Sequence, residues 1–255
     1  MERSITKKFL AELIGTWMLV FIGAGSAAVT LLLAQGESFT SDFGIGIGAL
    51  GGLGDWLAIG MAFGITVIAA IYIFGPISGC HINPAVTVAL WATKRFPTRE
   101  LVPYIVAQTI GAVLGALTLA VILGPRASMV GGLGAPGLFP GISATQAFVG
   151  EAVGTFILML TIMGVAVDKD APKGWAGLII GLIVAGIIIT LGNMTGSGIN
   201  PARSLGPMIG NMFYGAGAGA LSNAWIFIIA PLVGSVAAAF VFDFVADSAV
   251  KDEDF

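Results

Sequence analysis

Long apolar runs separated by short polar breaks set the pattern of this chain. Six runs can cross a bilayer as helices, which takes about 20 mostly apolar residues. They fall at roughly 9–33, 57–75, 101–123, 145–167, 175–193 and 223–246. Two shorter apolar runs lie between them: Ala85 to Ala92, stopped by Lys94-Arg95, and Ala202 to Met212. A helix of about ten residues rises about 15 Å, half the hydrocarbon thickness, so each short run is predicted to enter the membrane without crossing it. The expected fold class is an all-α membrane protein with six transmembrane helices plus two re-entrant half-helices. The first run follows Lys7 and Lys8 and contains Gly25-Ser26-Ala27-Ala28, as a secretory signal would, but it is too long for the apolar part of one.

Composition narrows the classes. Of 255 residues, 57% are hydrophobic and 10% charged, whereas soluble domains carry about 25% charged residues. So few charges cannot cover a soluble globule, and the apolar content excludes disorder. A net charge of −3 argues against a nucleic-acid partner. The single cysteine, Cys80, excludes an intrachain disulfide, the single histidine, His81, leaves little for a metal site, and no cofactor motif is present. Nine of the eleven Lys and Arg residues fall before the first run, between the second and third, between the fourth and fifth, or in the tail. The positive-inside rule makes that side cytoplasmic, with both termini there, in a multi-pass protein of the cell membrane. The segment 34–56 carries Glu37, Asp42 and Asp55 but no cation and is expected outside. Three glycine pairs, Gly60/Gly64, Gly111/Gly115 and Gly177/Gly181, have the spacing that lets helix backbones approach closely in lipid.

Within a single domain spanning 1–255, two halves repeat, about 9–123 and 145–246. Gly60-Met61-Ala62-Phe63-Gly64 begins 23 residues before Asn83-Pro84-Ala85, and Gly177-Leu178-Ile179-Ile180-Gly181 begins 23 before Asn200-Pro201-Ala202. The same offset of 117 pairs Gly75 with Gly192, Ser78 with Thr195, Gly79 with Gly196 and Ile82 with Ile199. Upstream, Ala11-Glu12-Leu13-Ile14-Gly15-Thr16 parallels Gly150-Glu151-Ala152-Val153-Gly154-Thr155 at an offset of 139. Each half has three spans, an odd number, so the second half is inverted. Inverted repeats place a channel or transporter site between the halves, near the midplane.

Asn-Pro starts a helix, because Asn caps free N–H groups and Pro fits the first helical position. In an inverted pair the half-helices enter from opposite faces and their N-termini meet. Irregular backbone at that depth must be buried in protein or line a watery cavity. The carbonyls of Gly79, Cys80, His81 and Ile82, and of Gly196, Ser197 and Gly198, are therefore expected along a pore. Asn83 and Asn200 add side-chain donors, and the two helix N-termini add a positive potential that repels cations and hydronium. Such a pore passes neutral hydrogen-bonding molecules.

The paired boxes, in Ser78-Gly79-Cys80-His81-Ile82-Asn83-Pro84-Ala85-Val86-Thr87 and Asn200-Pro201-Ala202-Arg203, resemble the aquaporin, or major intrinsic protein, family over about 9–246. The glycine-rich external loop and stretch 131–141 are most similar to archaeal aquaporins of the AqpM kind. The resemblance implies a homotetramer in the lipid bilayer with one pore per subunit, carrying water and small neutral solutes without a cofactor. It also implies a four-residue selectivity filter at Phe63, Ile188, Ser197 and Arg203. Water-selective members have His at the Ile188 position, and glycerol channels have a second aromatic at the Ser197 position. This chain has neither. Ser204 and Phe227 match the water class and Ile228 does not. The implied function is a passive water channel with slower glycerol passage, excluding ions and protons. The alternative is a glycerol facilitator.

Glu12 and Glu151 are intramembrane carboxylates, costly to bury. They are expected to accept N–H groups of the re-entrant loops rather than relay protons, with Gln108 in a similar structural role. His81 is expected to be a structural hydrogen-bonding residue whose carbonyl faces the pore. The repeat places Cys80 on the cytoplasmic side of the pore, open to mercurials. Of the competing classes, a secondary transporter needs ion-coupling charge, and none beyond Glu12, Glu151 and Arg203 is expected well inside the spans. A structural junction protein would conduct poorly. An intramembrane enzyme lacks a His-Glu-x-x-His motif.

Overall fold

A computed structural model describes residues 3–34, 52–214 and 218–248. The expectations for Glu37, Asp42 and the tail cation Lys251 lie outside these residues. In chain order the longer helices are α1 (Ile5–Ala34), α2 (Leu53–Ser78), α3 (Pro84–Ala92), α4 (Thr98–Leu123), α5 (Ala144–Val167), α6 (Ala176–Thr195), α7 (Pro201–Phe213) and α8 (Ala224–Val245). All except α3 and α7 are long and apolar enough to cross a membrane. Helices α3 and α7 have 9 and 13 residues, the lengths of half-spans. Among the described residues there is no strand. Because α2 begins at Leu53, Asp55 lies in its first turn and not in the loop, where the helix N-terminus favours its charge. The apolar pattern does not predict two π-helical stretches, Leu19–Ala24 within α1 and Met163–Val167 at the end of α5.

Glycine sets how closely the long helices cross. A β-carbon on Gly64 would lie 2.6 Å from the Gly181 carbonyl oxygen, and one on Gly60 2.8 Å from that of Ala185, so α2 and α6 touch backbone to backbone. Helices α1 and α4 do the same, with Gly111 against Leu13 and Gly115 against Trp17. Gly234 brings α8 onto Ala152 of α5. Larger residues would push these backbones apart where lipid supplies no hydrophobic drive to close them. Gly177 differs, since a β-carbon there would lie 3.0 Å from the Tyr72 ring.

Two ion pairs tie one end of the bundle together. Lys8 Nζ donates to both Glu100 oxygens, at 2.9 and 3.0 Å. The Arg95 guanidinium grips Asp243 with two bonds, 2.9 and 2.7 Å, and also donates to the Ser248 carbonyl at 2.6 Å. The described residues nearest both chain termini therefore share that end with the α3–α4 turn. Glu100 and Asp243 are 4% and 8% exposed. They are buried charges at the span ends, and neither lies well inside a span as Glu12, Glu151 and Arg203 were expected to. Both sit within a turn or so of a helix end, where a long cationic side chain can reach and pair them. At the opposite end, Trp56 packs on Phe139 at 6.0 Å, and Gly137 and Phe139 donate to the carbonyls of Thr195 and Met194.

Candidate functional site

Two loops with matched geometry lead into the half-helices. Helices α2 and α6 each end on a left-handed glycine, Gly79 at φ 85° and Gly196 at φ 79°. Beyond them Cys80 and Ser197 (φ 51° and 49°) and Ile82 and Ile199 (φ 43° and 41°) are also left-handed. Side chains rarely adopt this region, and each such residue costs about 1–3 kcal/mol. The two buried carboxylates hold the strain. Glu12 accepts from Ser78 Oγ at 2.7 Å, His81 N at 2.9 Å, Ile82 N at 2.6 Å and Gln108 Nε2 at 2.8 Å. Glu151 accepts from Thr195 Oγ1 at 2.6 Å, Gly198 N at 2.8 Å and Ile199 N at 2.6 Å. Gly15 and Gly154 clear space for the isoleucines: their β-carbons would lie 2.7 Å from Ile82 Cγ2 and 3.0 Å from Ile199 Cγ2. Ser78 and Thr195 were visible in the repeat, but their part in holding the loops was not. Tyr104, which donates to the Ser78 carbonyl at 2.7 Å, left no signal in the sequence.

The half-helices meet head to head. Asn83 Oδ1 accepts from Ala85 N, and Asn200 Oδ1 from Ala202 N and Arg203 N, while Pro84 and Pro201 open the helices with no N–H to satisfy. Each asparagine also crosses to the other loop: Asn83 Nδ2 donates to the Ile199 carbonyl at 2.9 Å and Asn200 Nδ2 to the Ile82 carbonyl at 2.8 Å. An amide nitrogen has two hydrogens, so each keeps one beyond this brace. The Ile82 carbonyl, expected along the pore, thus also accepts from Asn200 and keeps a second lone pair.

A cavity of about 390 Å³ runs past both asparagines. Gly79, Cys80, His81, Ile82 and Gly198 line it; Gly196, Pro84, Ala85, Pro201 and Ala202 do not. All four residues implied as a filter do, and Arg203 Cζ stands 4.9 Å from the Phe63 ring centroid. Arg203 is 2% exposed, and its Nε and Nη1 have no partner among the described residues, nor has Ser197 Oγ. Buried donors without protein partners are available to a molecule in the cavity. Elsewhere the wall is mostly aliphatic, including Val67, Leu158 and Val184, with Arg95 as a further charged residue. The His81 ring packs on Phe96 and Tyr104, at 4.8 and 5.2 Å. Since Thr87 Oγ1 donates to the Asn83 carbonyl, it accepts at 3.1 Å from His81 Nδ1, which therefore carries the proton. Ser204 and Phe227 stand behind Gly198, where a β-carbon would come 2.6 and 2.7 Å from them. Cys80 is 6% exposed, on the cavity wall.

Six spans and two opposed half-helices around such a cavity define a polytopic membrane protein of the re-entrant-helix type. The model of the major intrinsic protein family matches residues 1–242. Aquaporin AqpM of Methanothermobacter marburgensis is 57% identical over 94% of this chain and 98% of its own length. Glycerol uptake facilitator protein-like 6 of Lactiplantibacillus plantarum is 38% identical over 92% of the chain and 95% of its own. Among solved structures, the aquaglyceroporin from Plasmodium falciparum superposes with a TM-score of 0.81 at 29% identity, over 95% of this chain and 97% of that one. The chain belongs to the major intrinsic protein family, whose aquaporins are channels and not enzymes.

Proposed function

We propose that this chain is a passive channel for water that passes small uncharged solutes such as glycerol more slowly and excludes ions and protons. One observation carries the reading: Asn83 and Asn200, at opposed half-helix N-termini, share a cavity wall with Phe63, Ile188, Ser197 and Arg203. The asparagine and Arg203 donors bind water oxygens, and loop carbonyls accept water hydrogens. Two helix N-termini and a guanidinium give the cavity a positive potential that opposes cations and hydronium. Ile188 brings no polar group to the filter, which favours a solute with a carbon backbone more than a histidine would. The likeness both to an aquaporin and to a glycerol uptake facilitator supports this intermediate filter. Glu12 and Glu151 are engaged by loop donors, which speaks against an ion-coupling role. The reading includes a homotetramer with one pore per subunit in the cell membrane, both termini cytoplasmic, and one domain over 1–255 with halves at about 9–123 and 145–246.

The test is stopped-flow light scattering on proteoliposomes under an inward glycerol gradient. Fast shrinkage followed by slow re-swelling is expected. Re-swelling as fast as the shrinkage makes the chain a glycerol facilitator, and no acceleration over bare lipid refutes a conducting channel. Mercurials are expected to slow the shrinkage through Cys80. A Cys80→Ser channel that keeps full mercurial sensitivity would contradict that placement.

A further inference from the structure

Phe63 lines the cavity yet is only 2% exposed, so a close neighbour backs its ring. That neighbour is Gly23, in the π-helical stretch Leu19–Ala24 of α1. A β-carbon on Gly23 would overlap Phe63 Cδ1 and come within 2.5 Å of Cε1 and 2.7 Å of Cγ. Carbon atoms rest about 3.5–4.0 Å apart, so a methyl group here displaces the ring by about 1 Å or more. Gly23 is buried, and the Phe63 ring that it faces borders both the cavity and Arg203. Retreat from α1 therefore moves the ring into the passage.

Two comparisons separate Gly23 from an ordinary packing glycine. At the helix crossings, Gly111 and Gly115 face backbone of the next helix first, whereas the three atoms nearest a Gly23 β-carbon all belong to the Phe63 ring; Gly192 faces the Trp56 ring in the same way, but Trp56 does not line the cavity. Within the repeat, the positions 139 and 117 residues beyond Gly23 and Phe63 are Ile162 and Ile180. Both line the same cavity. One half places two aliphatic side chains there, and the other places an aromatic against a residue with none.

We propose that Gly23 is a positioning residue for solute size: it sets how far Phe63 enters the cavity and so limits which uncharged solutes pass. The inference rests on the water and glycerol reading above. The test compares wild type, Gly23→Ala, Phe63→Leu and the double variant in proteoliposomes, measuring water and glycerol flux per reconstituted protein. Gly23→Ala is expected to lower glycerol flux about tenfold, the scale of one methylene in a tight site, and water flux by less. In the Phe63→Leu background the same change is expected to leave the glycerol-to-water ratio unaltered. An unchanged ratio in Gly23→Ala, or an equal loss in both backgrounds, overturns the proposal. If Gly23→Ala does not fold, Phe63→Leu must rescue folding, and failure in both backgrounds also overturns it. Wild-type vesicles that admit no glycerol would refute the underlying reading instead. The water arm then decides, because the double variant must regain a water flux that Gly23→Ala loses.

Discussion

Replacing Arg203 with valine is expected to raise the glycerol-to-water flux ratio about tenfold, the scale on which pocket fit discriminates small solutes. The substitution removes bulk beside Phe63 and a guanidinium charge from the cavity wall. It also opens the channel to cations. A unit charge repels a like charge at 4 Å by about 4 kcal/mol at the effective dielectric of partly buried sites, a factor of about a thousand in partition. The two half-helix N-termini remain, so the leak stays far below water flux. Proteoliposomes loaded with a pH-sensitive dye read proton entry, and light scattering reads glycerol. If both measurements match wild type, Arg203 does not limit passage.

Glu151→Leu is expected to cost most of the fold. The change leaves Thr195 Oγ1, Gly198 N and Ile199 N buried without their acceptor. Hydrogen bonds to a charged group are worth about 1.5–3 kcal/mol each, and three of them approach the whole stability of a typical domain, about 5–15 kcal/mol. The left-handed backbone at Ser197 and Ile199 then loses what holds it. Glu151→Gln keeps one acceptor oxygen and is expected to be milder. Thermal unfolding in detergent measures both variants. A Glu151→Leu protein that melts with wild type and conducts water would show that the carboxylate does not hold the loop.

These acids also show where sequence reasoning reaches. An intramembrane carboxylate needs partners, and loops at membrane depth hold unpaired N–H groups, so need together with the family resemblance pointed Glu12 and Glu151 to the loops rather than to a proton relay. Glu100 and Asp243 escaped that argument because they lie at span ends, where charge is unremarkable by position. Their partners, Lys8 and Arg95, stand 92 and 148 residues away. Gln108 was expected to resemble the acids as an acceptor, whereas its amide donates to Glu12 and to Thr87. The asparagines were expected to donate into a pore. That each also braces the opposite loop requires both loops to meet, which one chain segment cannot reveal.

By itself the sequence determined the six spans, the two half-helices, the repeat and the capped Asn-Pro starts. Each follows from local quantities: apolar length against bilayer thickness, the cost of an unpaired charge, the geometry of a helix N-terminus. Only the tertiary structure decided the depth of Phe63, the crossing bonds of the asparagines and the pairing of Asp243. It also decided that Gly23, on a π turn with no sequence signature, backs an aromatic ring 40 positions away. Packing is a relation between distant segments at sub-ångström tolerance, and a hydropathy pattern carries no distances between segments.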